Sequence, residues 1–378
     1  MKRLLLWCVL VTLCFFLVLQ SACASENGAV SKKTAENETK AEEASDENTK
    51  DSQQKLKVVY VVNGVLGDRS LIDSAARGLK KAEKELGISL KIVEAGLETS
   101  KWKSYLEDAA ANEDYDILVC GSYSMVEYLE DVAPKYPDKH FIIYDAPVDY
   151  STNKFANVYS VTFMQNEAAY LGGAYAGLMT SHSEIEGINK DLKLGIVGAQ
   201  PIPVINDFIL PFIQAAGEVA NIKKDDVYVQ FAGGWNDPAK GKELAHTMYQ
   251  QGADIVFQVA GGSGDGIFQA AKEVGSFAMG VDSDQHFILE EPNPELAKVI
   301  LTSVVKNVDN SLFRAIQLHL DGKLAYGSAE AVGLKDKGVG LAKNDYFKKI
   351  TPQDIQDKLD QIEEDIISGK IQVVTALK

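Results

Sequence analysis

The fold is indicated most clearly by the stretch Gly233-Gly-Trp-Asn-Asp-Pro-Ala-Lys-Gly241 and by the residues that follow it. A helical pattern leads into the apolar strand Ile255–Val259, a glycine-rich turn at Gly261–Gly266, a second helix and another strand. Strands that alternate with helices in this way predict parallel β-α-β units. Ligands bind beyond the carboxyl ends of the strands in such sheets, so Trp235 and Asp282 lie where a small molecule could contact them.

The same alternation extends through most of the 378 residues. One series of strands and helices runs from residue 57 to about 163, and a second runs from about 166 to 281. Two successive windings predict an α/β protein with two doubly wound, Rossmann-like lobes, and the chain is long enough for both. We assign 57–163 and about 286–322 to the N-terminal lobe, and 164–285 and about 323–378 to the C-terminal lobe.

The N-terminus is typical of a secreted lipoprotein. Met1-Lys-Arg3 and the apolar run Leu4–Leu19 predict a signal peptide over residues 1–22. Leu19-Gln-Ser-Ala-Cys23 resembles a lipobox, although Gln20 stands where an aliphatic residue is usual. We therefore expect a lipid on Cys23, with ordinary cleavage near residues 22–25 as the alternative.

Residues 23–56 contain few apolar side chains and many Glu, Lys, Asn, Ser and Asp residues. Such a segment buries too little surface to offset the entropy lost on ordering, so it predicts a disordered acidic and polar tether. The formal net charge of −16 opposes binding to nucleic acid. Once the signal is removed only Cys23 and Cys120 remain, and we interpret Cys120 as a small buried core residue.

Patterns typical of enzymes are incomplete. The Gly261–Gly266 loop has Ile267 where a dinucleotide-binding motif requires its last glycine, and no Gly-Lys-Ser/Thr follows. Ser122 and Ser263 lack the Gly-x-Ser-x-Gly elbow of hydrolases, and the five His residues have no metal-ligand spacing. We expect no enzyme activity, cofactor or metal, while a secreted enzyme or an inert surface antigen remain alternatives of other classes.

Several segments together resemble the basic membrane protein family of lipoproteins, the substrate-binding subunits of ABC importers that include purine nucleoside receptors. The resemblance covers roughly residues 57 to 345 in colinear order. Its segments are Gly67–Ser74, Gly121–Ser124, Tyr136–Asp145, Phe163–Gly173, Pro203–Phe208, Trp235–Gly241, Gly280–Gln285 and Thr302–Asp309.

The resemblance implies a type I periplasmic-binding-protein fold, in which two lobes joined by a hinge close on the ligand. It also implies the roles of particular side chains. Phe208 and Trp235 would stack on a base, Asp282 and Lys306 would hold a ribose, Asp73 and Asp145 would contact the ligand from the first lobe, and Gly261 would let the backbone approach. The implied partners are a nucleoside-like ligand, ABC permease subunits, and a membrane reached through the lipid.

One departure from the family pattern bears on the ligand. Nucleoside-binding relatives commonly have Phe-Asn before the Asp of the first-lobe loop, whereas this chain has Leu71-Ile72 before Asp73. The change removes an aromatic contact and an amide that could pair with a base edge. We expect a nucleoside, with a purine nucleoside favoured, and keep riboflavin and a sugar-like molecule as alternatives.

Overall fold

A computed structural model describes residues 55–377 of the chain. The predicted signal peptide, Cys23 and nearly all of the predicted tether lie outside this range. Residues 55–377 form two six-stranded sheets with helices between the strands, which confirms the predicted α/β architecture.

The first sheet is parallel throughout, with strand order β11-β5-β4-β3-β1-β2. Its strands are β1 (Lys57–Val62), β2 (Ser89–Glu94), β3 (Ile117–Gly121), β4 (His140–Tyr144), β5 (Val158–Phe163) and β11 (Ser328–Val332). The helices connected with it are α1 (Leu71–Leu86), α2 (Trp102–Asn112), α3 (Val126–Val132) and α10 (Val308–Leu320).

The second sheet has the order β12-β10-β9-β8-β6-β7, and β12 alone among its strands is antiparallel to its neighbour. Its strands are β6 (Lys193–Gly198), β7 (Val227–Phe231), β8 (Ala253–Val259), β9 (Phe277–Asp282), β10 (Ile300–Lys306) and β12 (Val339–Leu341). The remaining helices are α4 (Gln165–Met179), α5 (Pro203–Ala220), α6 (Pro238–Gln250), α7 (Gly264–Val274), α8 (Gln285–Glu290), α9 (Pro294–Ala297), α11 (Asp345–Ile350) and α12 (Gln353–Ile367).

The central strands are buried on both faces, as expected of parallel strands covered by helices. All residues of β8 are buried, and so are all residues of β3. Cys120 in β3 is a free, buried thiol, as predicted, and burial raises its pKa to about 12. Among the helices, α4 is buried along most of its length. A Cβ atom on its Gly173 would lie 2.1 Å from the carbonyl oxygen of Phe212, so the absence of a side chain allows α4 to pack closely on α5.

The structure divides the two lobes differently from the sequence-based assignment. Residues 286–322 were assigned to the N-terminal lobe, but β10 pairs in parallel with β9 of the second sheet. Only α10 from that segment packs on α1 of the first lobe. Conversely, β11 was assigned to the C-terminal lobe and pairs with β5 of the first sheet. Pairing between distant segments decides sheet membership, and local periodicity does not contain that information.

The chain crosses between the sheets three times, after β5, after β10 and after β11. The crossovers are hydrogen-bonded to one another. Met164 N–H donates to the Val332 carbonyl at 2.9 Å, and Asn307 N–H donates to the Gly338 carbonyl at 2.8 Å. These crossovers form the hinge between the lobes. None of the helices within residues 55–377 has both the length and the apolar character needed to cross a bilayer.

Candidate functional site

A cavity of about 720 Å³ lies between the lobes, at the carboxyl ends of strands from both sheets. This is the position at which ligands bind in doubly wound α/β proteins. Six of the seven predicted ligand residues line it: Asp145, Phe208, Trp235, Gly261, Asp282 and Lys306. The seventh, Asp73, does not.

Lys306 lines the cavity as a buried cation. It is the last residue of β10, and its side chain is only 2% exposed. Its ammonium group pairs with the Asp145 carboxylate of the first lobe, which is 7% exposed. The same nitrogen lies 5.6 Å from the ring centre of Phe163 and 5.5 Å from that of Phe208. A buried ammonium with an ionic partner and two aromatic faces is fixed in position without solvent.

Asp282 is the last residue of β9 and faces Lys306 from the second lobe. Its carboxylate accepts a hydrogen bond from the hydroxyl of Ser70 in the first lobe. Burial raises the pKa of Asp282, and the positive charge of Lys306 reduces that increase. Two carboxylates around one ammonium provide acceptors for the hydroxyl groups of a polar ligand.

The backbone is left-handed at several strand ends that line the cavity. The φ angles are 70° at Ser122, 68° at Asp145 and 62° at Asp282, all of which are non-glycine residues. Each such conformation costs on the order of 1–3 kcal/mol and persists only where the surrounding structure holds it. The polar side chains at these positions are therefore oriented by the fold before any ligand arrives.

The two predicted stacking residues differ in exposure. Phe208 is 2% exposed and its ring lies edge-on to Phe257 at 6.4 Å, so it belongs to the core as well as to the cavity wall. Trp235 is 39% exposed and also lines the cavity. Gly261, with φ of 55°, lies against it, and a Cβ atom there would be 3.5 Å from the Trp235 ring. The Gly261 backbone thus lies close to the Trp235 ring.

The Asp73 side chain binds the loop before α1 and does not line the cavity. Its carboxylate accepts the N–H groups of Gly67 at 2.8 Å and of Arg69 at 2.9 Å. In return, Asp68 accepts three N–H groups from the start of α1, each at 3.0 Å. The two acids cap the helix and the loop reciprocally. Asp68 also lines the cavity, and burial raises its pKa to about 6 although the three N–H groups lower it.

Further polar residues of the first lobe that the sequence reasoning did not select line the cavity, among them Asn63, Ser122 and Ser124. The Asn63 amide donates to the hydroxyl oxygens of Ser122 at 2.9 Å and Ser124 at 3.1 Å. Asn63 directly follows β1, and Ser122 directly follows β3. The rule that ligand residues follow strand ends could have identified both from the sequence.

Direct contacts join the lobes across the cleft. The Arg69 guanidinium pairs with Asp265 at 2.6 Å, and Arg77 donates to the Ser283 hydroxyl at 2.9 Å. The Gln285 amide donates to the Arg69 carbonyl at 3.3 Å. Each pair has one member in the first lobe and one in the second, so these contacts belong to an arrangement in which the lobes touch.

In the Gly261–Gly266 loop, Gly264 and Gly266 leave no free space beside their backbone in which a ligand could bind. A Cβ atom on Gly264 would lie 2.4 Å from the Gln258 side chain, and one on Gly266 would lie 1.8 Å from the Pro238 carbonyl oxygen. These two glycines therefore serve close packing against β8 and α6. Within residues 55–377, no cluster of three or more His, Cys, Asp or Glu side chains is placed to hold a metal ion.

Comparisons with known proteins agree with this architecture. Residues 55–376 match the family described as ABC transporter substrate-binding protein PnrA-like, named Bmp. The ABC transporter nucleoside-binding protein BmpA of Lactococcus lactis is 30% identical, over 84% of this chain and 88% of that protein. Basic membrane protein D of Borreliella burgdorferi is 29% identical, over 84% and 87%.

Among solved structures, an ABC transporter solute-binding protein from Aeropyrum pernix superposes with a TM-score of 0.74 at 26% identity. The superposition covers 85% of this chain and 94% of the other. The fold is thus that of the type I periplasmic binding proteins, with two α/β lobes and a hinge of three crossovers. By the match over nearly all of its described residues, the chain belongs to the Bmp family of PnrA-like substrate-binding proteins of ABC transporters.

Proposed function

We propose that this protein is a lipid-anchored, extracytoplasmic receptor that binds a nucleoside between its lobes and delivers it to the permease of an ABC importer. The observation that carries the proposal is one cavity that combines a buried cluster of charges with aromatic rings. Lys306, Asp145 and Asp282 form the charged cluster, and Phe208 and Trp235 provide the rings.

Each half of a nucleoside matches one half of this arrangement. Vicinal ribose hydroxyls donate to carboxylates and accept from an ammonium, which is the chemistry of Asp282 and Lys306. A flat base gains apolar burial and favourable geometry against aromatic faces. The name of the Lactococcus relative, a nucleoside-binding protein, supports the same class of ligand. Asp145, Phe208, Trp235, Asp282 and Lys306 are the proposed binding residues, with Gly261 as a backbone support.

Riboflavin is the second candidate ligand, because aromatic and apolar side chains of the first lobe also line the cavity. Among them are Leu97, Trp102, Tyr123 and Tyr128. A flavin has a larger ring system than a purine and carries a hydroxylated chain, so it would contact both these side chains and the charged cluster. Asn63 and its two serine partners would serve either ligand as polar contacts to ring nitrogen and oxygen atoms.

Lobe closure is the proposed mechanism of delivery. A ligand that contacts residues of both lobes stabilises the state in which the lobes touch, and the permease would distinguish this state from the open one. Since Asp145 and Asp282 come from different lobes and both approach Lys306, a ligand bound to them contacts both lobes at once. No covalent step is needed.

Membrane attachment is proposed through Cys23. The lipobox-like sequence before it and the polar segment after it support a lipidated N-terminus on a tether. We expect the full chain to incorporate labelled palmitate and to fractionate with membranes, and the Cys23→Ala variant to lose both properties. Absence of label from the full chain, or membrane retention of the Cys23→Ala variant, would contradict this anchor.

The binding test uses ligand-stripped protein from residue 56 to 378. Thermal shift against nucleosides, free bases, riboflavin and sugars is followed by calorimetry of each hit. A ligand that binds the folded state raises Tm by mass action. We expect a nucleoside to do so, and chromatography to recover it unchanged. Trp235→Ala and Asp282→Asn should each raise Kd about tenfold or more, as for loss of a stacked ring or a charged hydrogen bond. Unchanged affinity in both variants, or turnover of the ligand, would refute the proposal.

A further inference from the structure

Residues 371–377, called here the strap, follow α12 and run along the second lobe without forming a helix or strand. Side chains of α4 and α5 hold the strap by hydrogen bonds to its backbone. The Gln214 amide donates to the Gln372 carbonyl at 3.0 Å, and its oxygen accepts Val374 N–H at 3.0 Å. The Asn166 amide donates to the Val374 carbonyl at 3.3 Å. An exposed segment is thereby fixed along its length.

The strap ends on a buried carboxylate. Asp207 of α5 is 1% exposed, and none of the ion pairs found in residues 55–377 includes it. One of its oxygens accepts the Thr375 hydroxyl at 2.5 Å and Ala376 N–H at 2.8 Å. The other accepts the Gln165 amide at 2.8 Å. A buried carboxylate without a cation depends on such donors, so the strap supplies a large part of what keeps Asp207 in place.

Both neighbours of Asp207 matter for ligand binding. Phe208, the next residue in the chain, lines the cavity and lies beside the Lys306 ammonium. Gln165 is the first residue of α4 and directly follows Met164, where the first crossover of the hinge ends. Asp207 therefore connects three parts of the molecule: the strap, the first crossover and the turn of α5 that carries the Phe208 ring.

We propose that Asp207 and Thr375 are positioning residues for ligand binding, through which the strap fixes the Phe208 ring and the first crossover in the geometry that the ligand requires. This inference rests on the proposed function. Releasing the strap leaves one Asp207 oxygen without its donors, and the start of α5 then moves to reach other donors or water. The Phe208 ring moves with it, so the bound state loses part of its stacking contact.

A similar contact elsewhere in the same lobe provides a matched control. Thr180 donates its hydroxyl to the oxygens of Asp254 at 2.7 and 2.9 Å. Asp254 is fully buried, and neither residue lines the cavity. Loss of the Thr180 hydroxyl therefore removes a threonine-to-aspartate hydrogen bond of the same kind without disturbing Phe208.

The experiment compares Thr375→Val with Thr180→Val. The probe is whichever of adenosine, guanosine, inosine and riboflavin binds the wild-type protein most tightly, measured by calorimetry and by stopped-flow dissociation. We expect both variants to lower the ligand-free Tm, but only Thr375→Val to raise Kd, by roughly three- to tenfold, as for one lost hydrogen bond. Dissociation should be faster by a similar factor, and Thr375→Ser should restore both values.

A second variant, Gln214→Ala, removes the two hydrogen bonds that Gln214 makes to the strap backbone and leaves the side chains of Asp207, Thr375 and Gln165 in place. It should loosen the strap and weaken binding in the same direction. The inference fails if Thr375→Val and Gln214→Ala bind like wild type, or if Thr180→Val weakens binding equally. In those cases the proposed role as a solute receptor stands, because the wild-type protein still binds the probe, and the identity of the probe decides between nucleoside and riboflavin. If the wild-type protein binds none of the four probes, the proposed ligand class fails and the inference fails with it.

Discussion

The two faces of the cleft use their acidic residues in different ways. On the first lobe, the carboxylates of Asp68 and Asp73 accept hydrogen bonds from backbone N–H groups of their own loop and of the start of α1. On the second lobe, Asp282 stands beside a buried ammonium and reaches across to Ser70. Asp145 is the first-lobe acid that resembles Asp282, because it pairs with Lys306. Asp68 and Asp73 instead support a loop beside the cavity.

The difference shows what a sequence motif leaves undecided. An Asp in a loop before a helix is equally suited to cap that helix and to bind a ligand. Which role it takes depends on whether donors of its own backbone already satisfy its oxygens. Apart from Asp145, the first-lobe face is thus expected to tolerate substitution better than the second-lobe face, and the following predictions test that contrast.

The largest effect is expected at Lys306, where acids from both lobes meet. Lys306→Met leaves Asp145 buried without its partner, a change that costs about 3–5 kcal/mol in comparable buried pairs. We expect Tm to fall clearly and nucleoside binding to weaken by about 100-fold or more. Adding Asp145→Asn should recover part of Tm but none of the affinity, as measured by thermal unfolding and calorimetry. Wild-type affinity in either variant would show that the charged cluster does not contribute to ligand binding.

The next effect concerns the rings. Phe208→Leu keeps most of the buried volume but removes the aromatic face, and should raise Kd about tenfold, within the range for one stacked base. Leu71→Ala on the opposite face should change Kd by less than about threefold, because Leu71 has no aromatic or polar group to lose. Equal effects of the two changes would show that the two faces contribute alike. Conversely, Leu71→Phe should tighten nucleoside binding several-fold by restoring a second ring.

A smaller effect is expected at the Arg69 and Asp265 ion pair, which joins the lobes. The two side chains are 40% and 26% exposed, and pairs of this kind contribute about 0–1 kcal/mol. Asp265→Asn should therefore raise Kd up to about fivefold at low salt and have no effect at about 1 M salt, where screening is strong. Asp131→Asn breaks the comparable pair of Lys103 and Asp131, which lies within the first lobe, and serves as the control. A Kd change in the control would argue against a specific interlobe role.

The smallest expected effect is on the pH dependence of the ligand-free Tm. It concerns one buried acid in each lobe, Asp68 and Asp254. Burial raises the pKa values of Asp68 and Asp254 to about 6, above the value of about 3.9 for an unfolded chain. Between about pH 4 and 6 the folded protein holds protons that the unfolded chain has released, so this contribution to the free energy of unfolding falls as pH rises. Asp68→Asn and Asp254→Asn should each reduce the drop in ligand-free Tm between pH 5 and pH 7. An unchanged drop in both variants would contradict the assignment.

Local patterns predicted most of the secondary structure because the strands are apolar runs and the longer helices have one apolar face. The closing helix is an example: the sequence over residues 352–368 has the pattern of an amphipathic helix, and α12 spans Gln353–Ile367. The short helices α8, α9 and α11 were missed, since four to six residues provide too few turns to show a period. The sheet membership of β10 and β11 was also not predicted, because the choice of pairing partner leaves no local pattern in the sequence.

The candidate site was predicted unevenly for the same physical reason. Phe208, Trp235, Asp282 and Lys306 follow from a resemblance across the chain, and the structure brings them to one cavity. Whether Asp68 or Asp73 faces that cavity depends on which N–H groups each one accepts, which requires three-dimensional coordinates. The strap contact to Asp207 joins residues that are 168 positions apart, and no motif marks it.

The burial of Cys120 has a practical consequence for observing the lobes in motion. It is the only cysteine from residue 56 to 378, and it lies inside β3 with its thiol pKa raised to about 12. Maleimide dyes react with exposed thiolates, so the native chain offers them almost no target. Cysteines introduced at exposed positions such as Asp108 on α2 and Glu243 on α6 would label selectively, one dye on each lobe. The protein is thus already suited to conversion into an optical sensor for its own ligand, without prior removal of a native cysteine.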